Sequence, residues 1–248
     1  QSEILEYEAA LHRLTYNAIN LNEPNNTLLR SIQDAEILGE KQVYFRNESR
    51  NSFQTADYIK HLIEECINYG TIPFAIAARH AFIAESFLRS AVRCEAISAG
   101  RVDEFKKSIK TISSELSIDF SMVLLNKLPK QTFMEKYGHL RPSSYDILSL
   151  SYNQRVDLFE SSYLHENMGN DIFELSIIEK ENIDSLLKSS SFNNINSEQL
   201  FEYIERATVA RERIKFIFTK HLNEILESIA LWGVNEGFSR DDLSYLEI

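Results

Sequence analysis

Apolar positions recur at three- and four-residue steps over most of this chain, the mark of helices with one buried face. Ile4, Tyr7, Leu11, Leu14, Ala18 and Leu21 define an amphipathic helix over 4–21, broken by Asn22-Glu23-Pro24-Asn25-Asn26. Leu28, Ile32, Ala35 and Leu38 carry a second over 27–46, followed by the polar connector Asn47-Glu48-Ser49-Arg50-Asn51. Phe53, Ala56, Ile59, Ile63, Cys66 and Ile67 carry a third over 53–69, which Gly70 and Pro73 are expected to stop. From Phe74 to Ala96 nearly every residue is apolar or small, and a helix apolar almost all round is buried on most sides. Glu85, Arg89 and Arg93 interrupt it at four-residue steps on one face. That row is either a solvated, ion-paired stripe or the polar lining of a cavity.

Ala99-Gly100 ends that helix. Another follows over 101–117, with Val102, Phe105, Ile109, Ile112 and Leu116 inward, and continues in apolar patches to Pro129; a short helix over 130–136 comes next. Residues 148–172 are the least regular, with a short helix expected at 153–160. Phe173 to Ile178 fits a short extended piece and Glu179 to Lys188 a helix. Asn196-Ser197-Glu198-Gln199 sets a glutamine three residues after a cap and opens the longest helix, 197–232. Its stripe runs Leu200, Ile204, Ala207, Arg211, Ile214, Phe218, Leu222, Ile225, Ile229, Trp232. Arg211 stands where an apolar residue belongs. Either its stem packs and its head reaches water, or the charge meets a buried carboxylate or an anionic ligand. Lys215 borders the same face. Gly233 and Gly237 are expected to close this helix, and Ser239-Arg240-Asp241-Asp242 has the form of a capping box opening a last short one. The pattern predicts an all-α fold of about eight helices with one ordered central loop.

That loop is Tyr137-Gly138-His139-Leu140-Arg141-Pro142-Ser143-Ser144-Tyr145-Asp146-Ile147. Gly138 allows backbone conformations closed to other residues, and Pro142 biases Arg141 away from the helical region. An imidazole, a guanidinium, a carboxylate and two phenols are presented together. The segment is either a connector bonded to its own backbone or a functional loop.

A length of 248 residues with 44% hydrophobic suffices for one large domain or two small ones. Four prolines and seven glycines are too few for a turn-rich β-sandwich. A net charge of −11 argues against a nucleic-acid partner, which needs a basic face. Cys66 and Cys94 read as reduced core residues of a reducing, cytoplasmic compartment, without metal spacing. No apolar run reaches the roughly 18 residues of a membrane span, and the acidic first residues do not read as a signal peptide. The absence of an initiator methionine suggests a piece of a longer protein. There is no glycine-rich phosphate loop, dinucleotide fingerprint, H-E-x-x-H or G-x-S-x-G. The six histidines fall at no metal-ligand spacing, so no metal site is expected. His139 is the best placed of them for function and His80 the next; His221 reads as a packed helix residue.

Phe133 to Ile147 resembles a segment of the phosphoenolpyruvate synthase / pyruvate phosphate dikinase-like family, whose members typically read F-x-x-x-Y-G-H-L-R-P-G-T-Y-D-I. Rifampicin phosphotransferases carry a related Y-G-H-R-G-P-G-E. Ala78 to Ala84 with Leu88-Arg89-Ser90, Ala210 to Phe216, and Ser239 to Leu246 are similar to other segments of the family, so the likeness spans most of the chain. Ser143-Ser144 departs from the usual Gly-Thr, which puts main-chain contacts there in question. The resemblance implies that residues 1–248 are the helical middle, acceptor-binding region of a larger phosphotransferase. An ATP-grasp domain and a swivelling phosphohistidine domain complete such enzymes; neither is visible here. The piece is therefore expected to be inactive alone and to hold no cofactor, ATP and Mg belonging to the full-length enzyme. The motif is most similar to capsule-locus members that include a glutamine kinase. The implied partners are thus a small-molecule acceptor, L-glutamine foremost, and the absent domains, with no membrane. An antibiotic, a sugar or pyruvate is the alternative acceptor, and a non-catalytic scaffold the alternative role. The resemblance gives His139 and Arg141 the task of neutralising a phosphoryl group or an acceptor carboxylate. It gives Asp146 that of orienting Arg141 or acting as base, and Tyr137, Ser143, Ser144 and Tyr145 that of contacting the acceptor. Arg79, Arg89, Arg211 and Lys215 are further candidates.

Overall fold

The computed structural model describes residues 2–47, 56–160 and 172–245. Most of the connector after Asn47, Phe53 at the expected start of the third helix, and 161–171 of the irregular stretch lie outside them. The fold is all-α, with about eight helices of two turns or more and no strand among the described residues. In order they are α1 (Ser2–Ile19), α2 (Thr27–Asn47), α3 (Ala56–Cys66), α4 (Ile72–Arg93), α5 (Ala99–Ser108), α6 (Ile112–Leu124), α7 (Lys130–Tyr137), α8 (Ile177–Ser189), α9 (Ser197–Asn235) and α10 (Arg240–Leu243).

The chain divides into two compact units. Unit 1 comprises Gln1–Gln33, Ala75–Thr111 and Met168–Glu212; unit 2 comprises Asp34–Phe74, Ile112–Asn167 and Arg213–Ile248. In unit 1, the buried amide of Asn26 closes two helices at once. Its Nδ2 donates to the carbonyls of Asn17, Ala18 and Asn20 at the end of α1, and its Oδ1 accepts from Leu28 and Leu29 at the start of α2. His80 is a second buried polar joint, its Nε2 2.8 Å from Thr27 Oγ1 and its Nδ1 3.0 Å from Tyr203 Oη. Tyr203 donates its proton to the His80 carbonyl, so it accepts from Nδ1–H, and Nε2 accepts from Thr27. This neutral tautomer satisfies every group, and His80 serves as a packing joint. Arg101 lies 4.4 Å from the Phe173 ring centroid and bonds to Glu179, fastening α5 to α8.

Unit 2 is built around Leu38, Leu62, Cys66, Phe218 and Ile225. Full burial of each such large side chain stabilises by roughly 1.5–3 kcal/mol. His221 is packed there as expected, its Nε2 3.1 Å from the Leu62 carbonyl.

Several expectations are corrected. Gly70 and Pro73 do not stop the third helix. The chain widens through a single π turn, Ile67–Thr71, and continues into α4. Pro73 directly follows this π turn, whose wider spacing makes room for its ring. Gly70 is needed for space: a Cβ there would lie 2.8 Å from Phe218 Cβ. Gly233 lies inside α9, where a Cβ would meet Leu243 at 2.4 Å; only Gly237, at φ +87°, ends the helix, with Phe238 N–H bonded back to the Gly233 carbonyl. The helix expected over 101–117 breaks at Ile109, separating α5 from α6, and the one expected at 153–160 is only a 3-10 turn, Tyr152–Gln154. Residues 172–176 are irregular and α8 begins at Ile177. Cys94, just past α4, is exposed; Cys66 alone is a core thiol, and burial pushes it up to about 11. Finally, α1 forms, but its row of Ile4, Tyr7, Leu11 and Leu14 is exposed.

Candidate functional site

The central motif begins where α7 ends. Phe133 and Tyr137 are fully buried against Phe120, Phe159 and Phe216. Tyr137 donates to Asp119 Oδ2 at 2.7 Å, and Lys136 reaches the same oxygen at 3.0 Å. Burial, with Asp119 adding, holds the Tyr137 phenol well above its usual range, so it is a fixed neutral donor. Gly138 has φ −59° and ψ −20°, open to any residue. It is glycine for space: a Cβ would meet Asn153 Oδ1 at 2.1 Å and the Met134 carbonyl at 2.4 Å.

From there the chain makes a compact loop whose two ends are zipped together. Tyr152 N–H donates to the Leu140 carbonyl at 2.9 Å and Asn153 N–H to the Gly138 carbonyl at 3.0 Å. Inside, Leu148 N–H donates to Asp146 Oδ1 at 2.8 Å and Ser143 N–H to Ser149 Oγ at 3.2 Å. Among described non-glycine residues only Glu95, Asn126 and Ser191 have positive φ, so Ser143-Ser144 fits the loop without backbone strain.

One face of α9 holds the loop. Phe216 meets the His139 ring edge-on at 4.8 Å, and His139 is buried. Arg141 is enclosed, with its side chain 1% exposed. Its Nε donates to Asn223 Oδ1 at 2.9 Å, one terminal nitrogen to the Ser149 carbonyl and the other to Glu227 Oε1. Glu227 Oε2 accepts from Arg240 and, at 3.0 Å, from Gln154 Nε2. Arg240 also donates to the Ile147 carbonyl at 3.0 Å. The carboxylate partner of Arg141 is therefore Glu227, and Asp146 turns the loop backbone instead. With its charge matched and its donors engaged, Arg141 positions the loop rather than presenting a cation.

The loop tip forms one wall of a cavity of about 410 Å³, all within unit 2. Tyr145, Asp146 and Ile147 face Ile59, Lys60 and Ile63 of α3 and Leu226, Ile229 and Trp232 of α9, with Leu243 and Ser244 closing one side. The walls are mainly apolar. Lys60, Asp146, Ser244 and the Tyr145 hydroxyl are the polar groups. Partial burial, and then Cys66, raise the Tyr145 phenol, so it remains a hydroxyl near neutrality. A pocket of this size with a few polar groups fits a small organic molecule.

The structure thus gathers Tyr137, His139, Arg141, Ser143, Ser144, Tyr145 and Asp146 in unit 2, of which Tyr145 and Asp146 line the cavity. Lys215 is also in unit 2 and exposed. Arg79, Arg89 and Arg211 belong to unit 1. There Arg79 is exposed, Arg89 forms an exposed pair with Glu85 at 3.1 Å, and Arg211 pairs with Glu212, its head part in water. Sequence reasoning missed Asn223, Glu227, Arg240, Lys60 and Trp232 as site elements. Phe216, Asn223 and Glu227 fall at i, i+7 and i+11 of α9, a second row beside the apolar stripe that was open to inspection.

Among the described residues, no group of three or more His, Cys, Asp or Glu could hold a metal ion. No described helix is long and apolar enough to cross a membrane. No protein-family model, curated protein or solved structure matches the chain.

Proposed function

We propose that unit 2 is the acceptor-binding module of an ATP-dependent, phosphohistidine-using phosphotransferase, with the acceptor seated in the cavity beneath the loop tip. One observation carries this reading: Tyr145, Asp146 and Ile147, the end of the motif, are themselves a wall of the cavity. A rigid loop that presents a carboxylate and a phenol to a small-molecule-sized space is suited to orienting an acceptor. Phosphoryl transfer depends chiefly on such positioning. Arg141 and Glu227 hold the loop in place, Asp146 and Lys60 meet polar ends of the acceptor, and Trp232 with Leu226 packs its body. The phosphoryl donor, ATP and Mg come from elsewhere in the full-length enzyme.

L-Glutamine is the first acceptor to test, because Lys60 and Asp146 offer one partner each to an α-carboxylate and an α-ammonium. Trp232 is the only tryptophan and lines the cavity, so its fluorescence reports occupancy directly. Saturable change with L-glutamine, weakened at least tenfold in Lys60→Ala and Asp146→Asn, is expected; no saturation up to ~10 mM is the contrary result, a Kd weaker than millimolar being too weak for a dedicated site. The apolar walls favour a second reading, a bulkier acceptor such as an antibiotic with an apolar body. Titration calorimetry with L-glutamine and with rifampicin separates the two: heat of saturable binding with rifampicin alone favours the bulkier acceptor.

A further inference from the structure

Helix α10 is a single turn, yet it supplies one side of the cavity through Leu243 and the Ser244 that follows. The chain is brought back to that place by short-range features. Gly237, at φ +87°, turns it at the end of α9, and the Phe238 N–H bonds to the Gly233 carbonyl at 2.7 Å. Arg240 then fastens α10 to Glu227 of α9 and, at 3.0 Å, to the Ile147 carbonyl of the loop. Leu243 is buried against Ile147, Leu226 and Ala230. Gly233 gives it room, since a Cβ there would lie 2.4 Å from one Leu243 methyl and 3.0 Å from the other. Leu243, Ile147 and Leu226 belong both to this packed cluster and to the cavity lining. The side of the cavity at α10 is therefore apolar, and its place is set by how far Leu243 reaches.

We infer, on the reading that the cavity is a ligand site, that Leu243 is a specificity-determining residue: it sets the length of the hydrocarbon portion that the cavity accepts. The wall selects what meets it. An apolar part of a ligand gains from every carbon laid against Leu243, Ile147 and Leu226. A charged group laid against the same three side chains loses its water without gaining a partner from them. Leu243 is held in place on two counts, by its seat over Gly233 and by the Arg240 clamp, so it acts as a fixed stop. Because it already borders the cavity, trimming it lengthens that space instead of opening a closed void.

Straight-chain 1-alkanols from butanol to decanol are the probe, since they demand no particular head group. Binding is followed by the fluorescence of Trp232, the chain's one tryptophan and part of the lining. In the native chain Kd should fall about fourfold per added methylene until the alcohol reaches Leu243, and then stop falling. Leu243→Ala should move that limit to alcohols longer by roughly two or three methylenes, and Leu243→Val by about one. Leu243→Met, of nearly the same volume, should leave it in place. Circular dichroism checks that each variant is folded, and the milder Leu243→Val carries the test if the alanine variant is not. A limit that stays put in the valine and alanine variants overturns the inference and leaves the ligand site standing. Affinities lowered equally for every alcohol, with the limit unmoved, mean that Leu243 only supports the fold, and overturn it as well. So does a limit that moves as far in Leu243→Met as in Leu243→Ala. No saturable response to any alcohol overturns it too, and the titration with L-glutamine then decides separately whether the cavity is a ligand site.

Discussion

Replacing Glu227 by alanine tests the account of the loop most directly. The substitution removes the one carboxylate among the described residues that is bonded to Arg141, whose side chain is 1% exposed, while Asn223 and the Ser149 carbonyl remain. Breaking a fully buried ion pair from one side costs about 3–5 kcal/mol, because a charge is left without its partner. Glu227 is 34% exposed, so water can enter the vacated space, and the two surviving acceptors share the load. These lower the expected cost to about 2–3 kcal/mol. The lost Arg240 contact, partly exposed, adds at most about 0.5 kcal/mol. Urea unfolding followed through Trp232 reports on unit 2. With a slope of about 1–3 kcal/mol per molar, the midpoint should fall by about 1–2 M. Arg141→Met is the control. It removes the buried charge and leaves Glu227 paired with Arg240, so it should cost less than about 1.5 kcal/mol. A midpoint for Glu227→Ala within about 0.3 M of the native chain would refute the reasoning. So would Arg141→Met proving the more damaging of the two. The comparison also bears on the proposed function: a loss of ligand binding in an Arg141 variant would follow from an unseated loop without any contact between Arg141 and the ligand.

Two further outcomes are expected. His80 is buried and its pKa is lowered to about 4, by burial first and then by Arg79, against about 6.5 in the unfolded chain. The unfolded chain therefore binds the extra proton as pH falls from about 6.5 to 4, and stability present above that window is lost through it, by up to about 3 kcal/mol. Urea midpoints measured at pH 7.5 and 5 should differ clearly in the native chain and less in His80→Gln; equal slopes would exclude His80 as the source. Gly138→Ala should destabilise by about 2–3 kcal/mol through overpacking against Asn153 and the Met134 carbonyl. Pairing it with Asn153→Ala should recover part of the loss in the same assay, and no recovery would mean the side-chain clash is not the cause.

Local features were legible in the sequence because their causes are local. Asn196 and Gln199 bond reciprocally to each other's backbone, as do Ser239 and Asp242, each at the spacing that names a helix start. The stripe of α9 is buried at Leu200, Ile204, Ala207, Ile214, Phe218 and Ile225. The failures have a different origin. Periodicity marks which face of α1 is apolar, but not whether another element covers it. Gly70, Gly138 and Gly233 were read as conformational punctuation, whereas each is small because something distant in the chain sits against it, Phe218, Asn153 and Leu243 respectively. The motif drew attention to Arg141 and Asp146 because they are neighbours in sequence. The actual partner, Glu227, is 86 residues away and identifiable only once α9 is laid along the loop.

The single amide of Asn26 has a bearing on how the protein ages. Hydrolysis of an asparagine side chain replaces an NH₂ donor by an anionic oxygen. At Asn26 that one chemical event would turn three attractive contacts with the end of α1 into repulsions, while leaving the acceptor for α2 in place. The usual route needs the side-chain carbon to be attacked by the next backbone nitrogen, that of Thr27, from a flexible chain. Here the side chain is held from both sides and Thr27 already opens a helix. The same bonds that make the residue vulnerable in its consequences shield it from the reaction, so damage at Asn26 should accumulate in unfolded stock and be rare in folded protein.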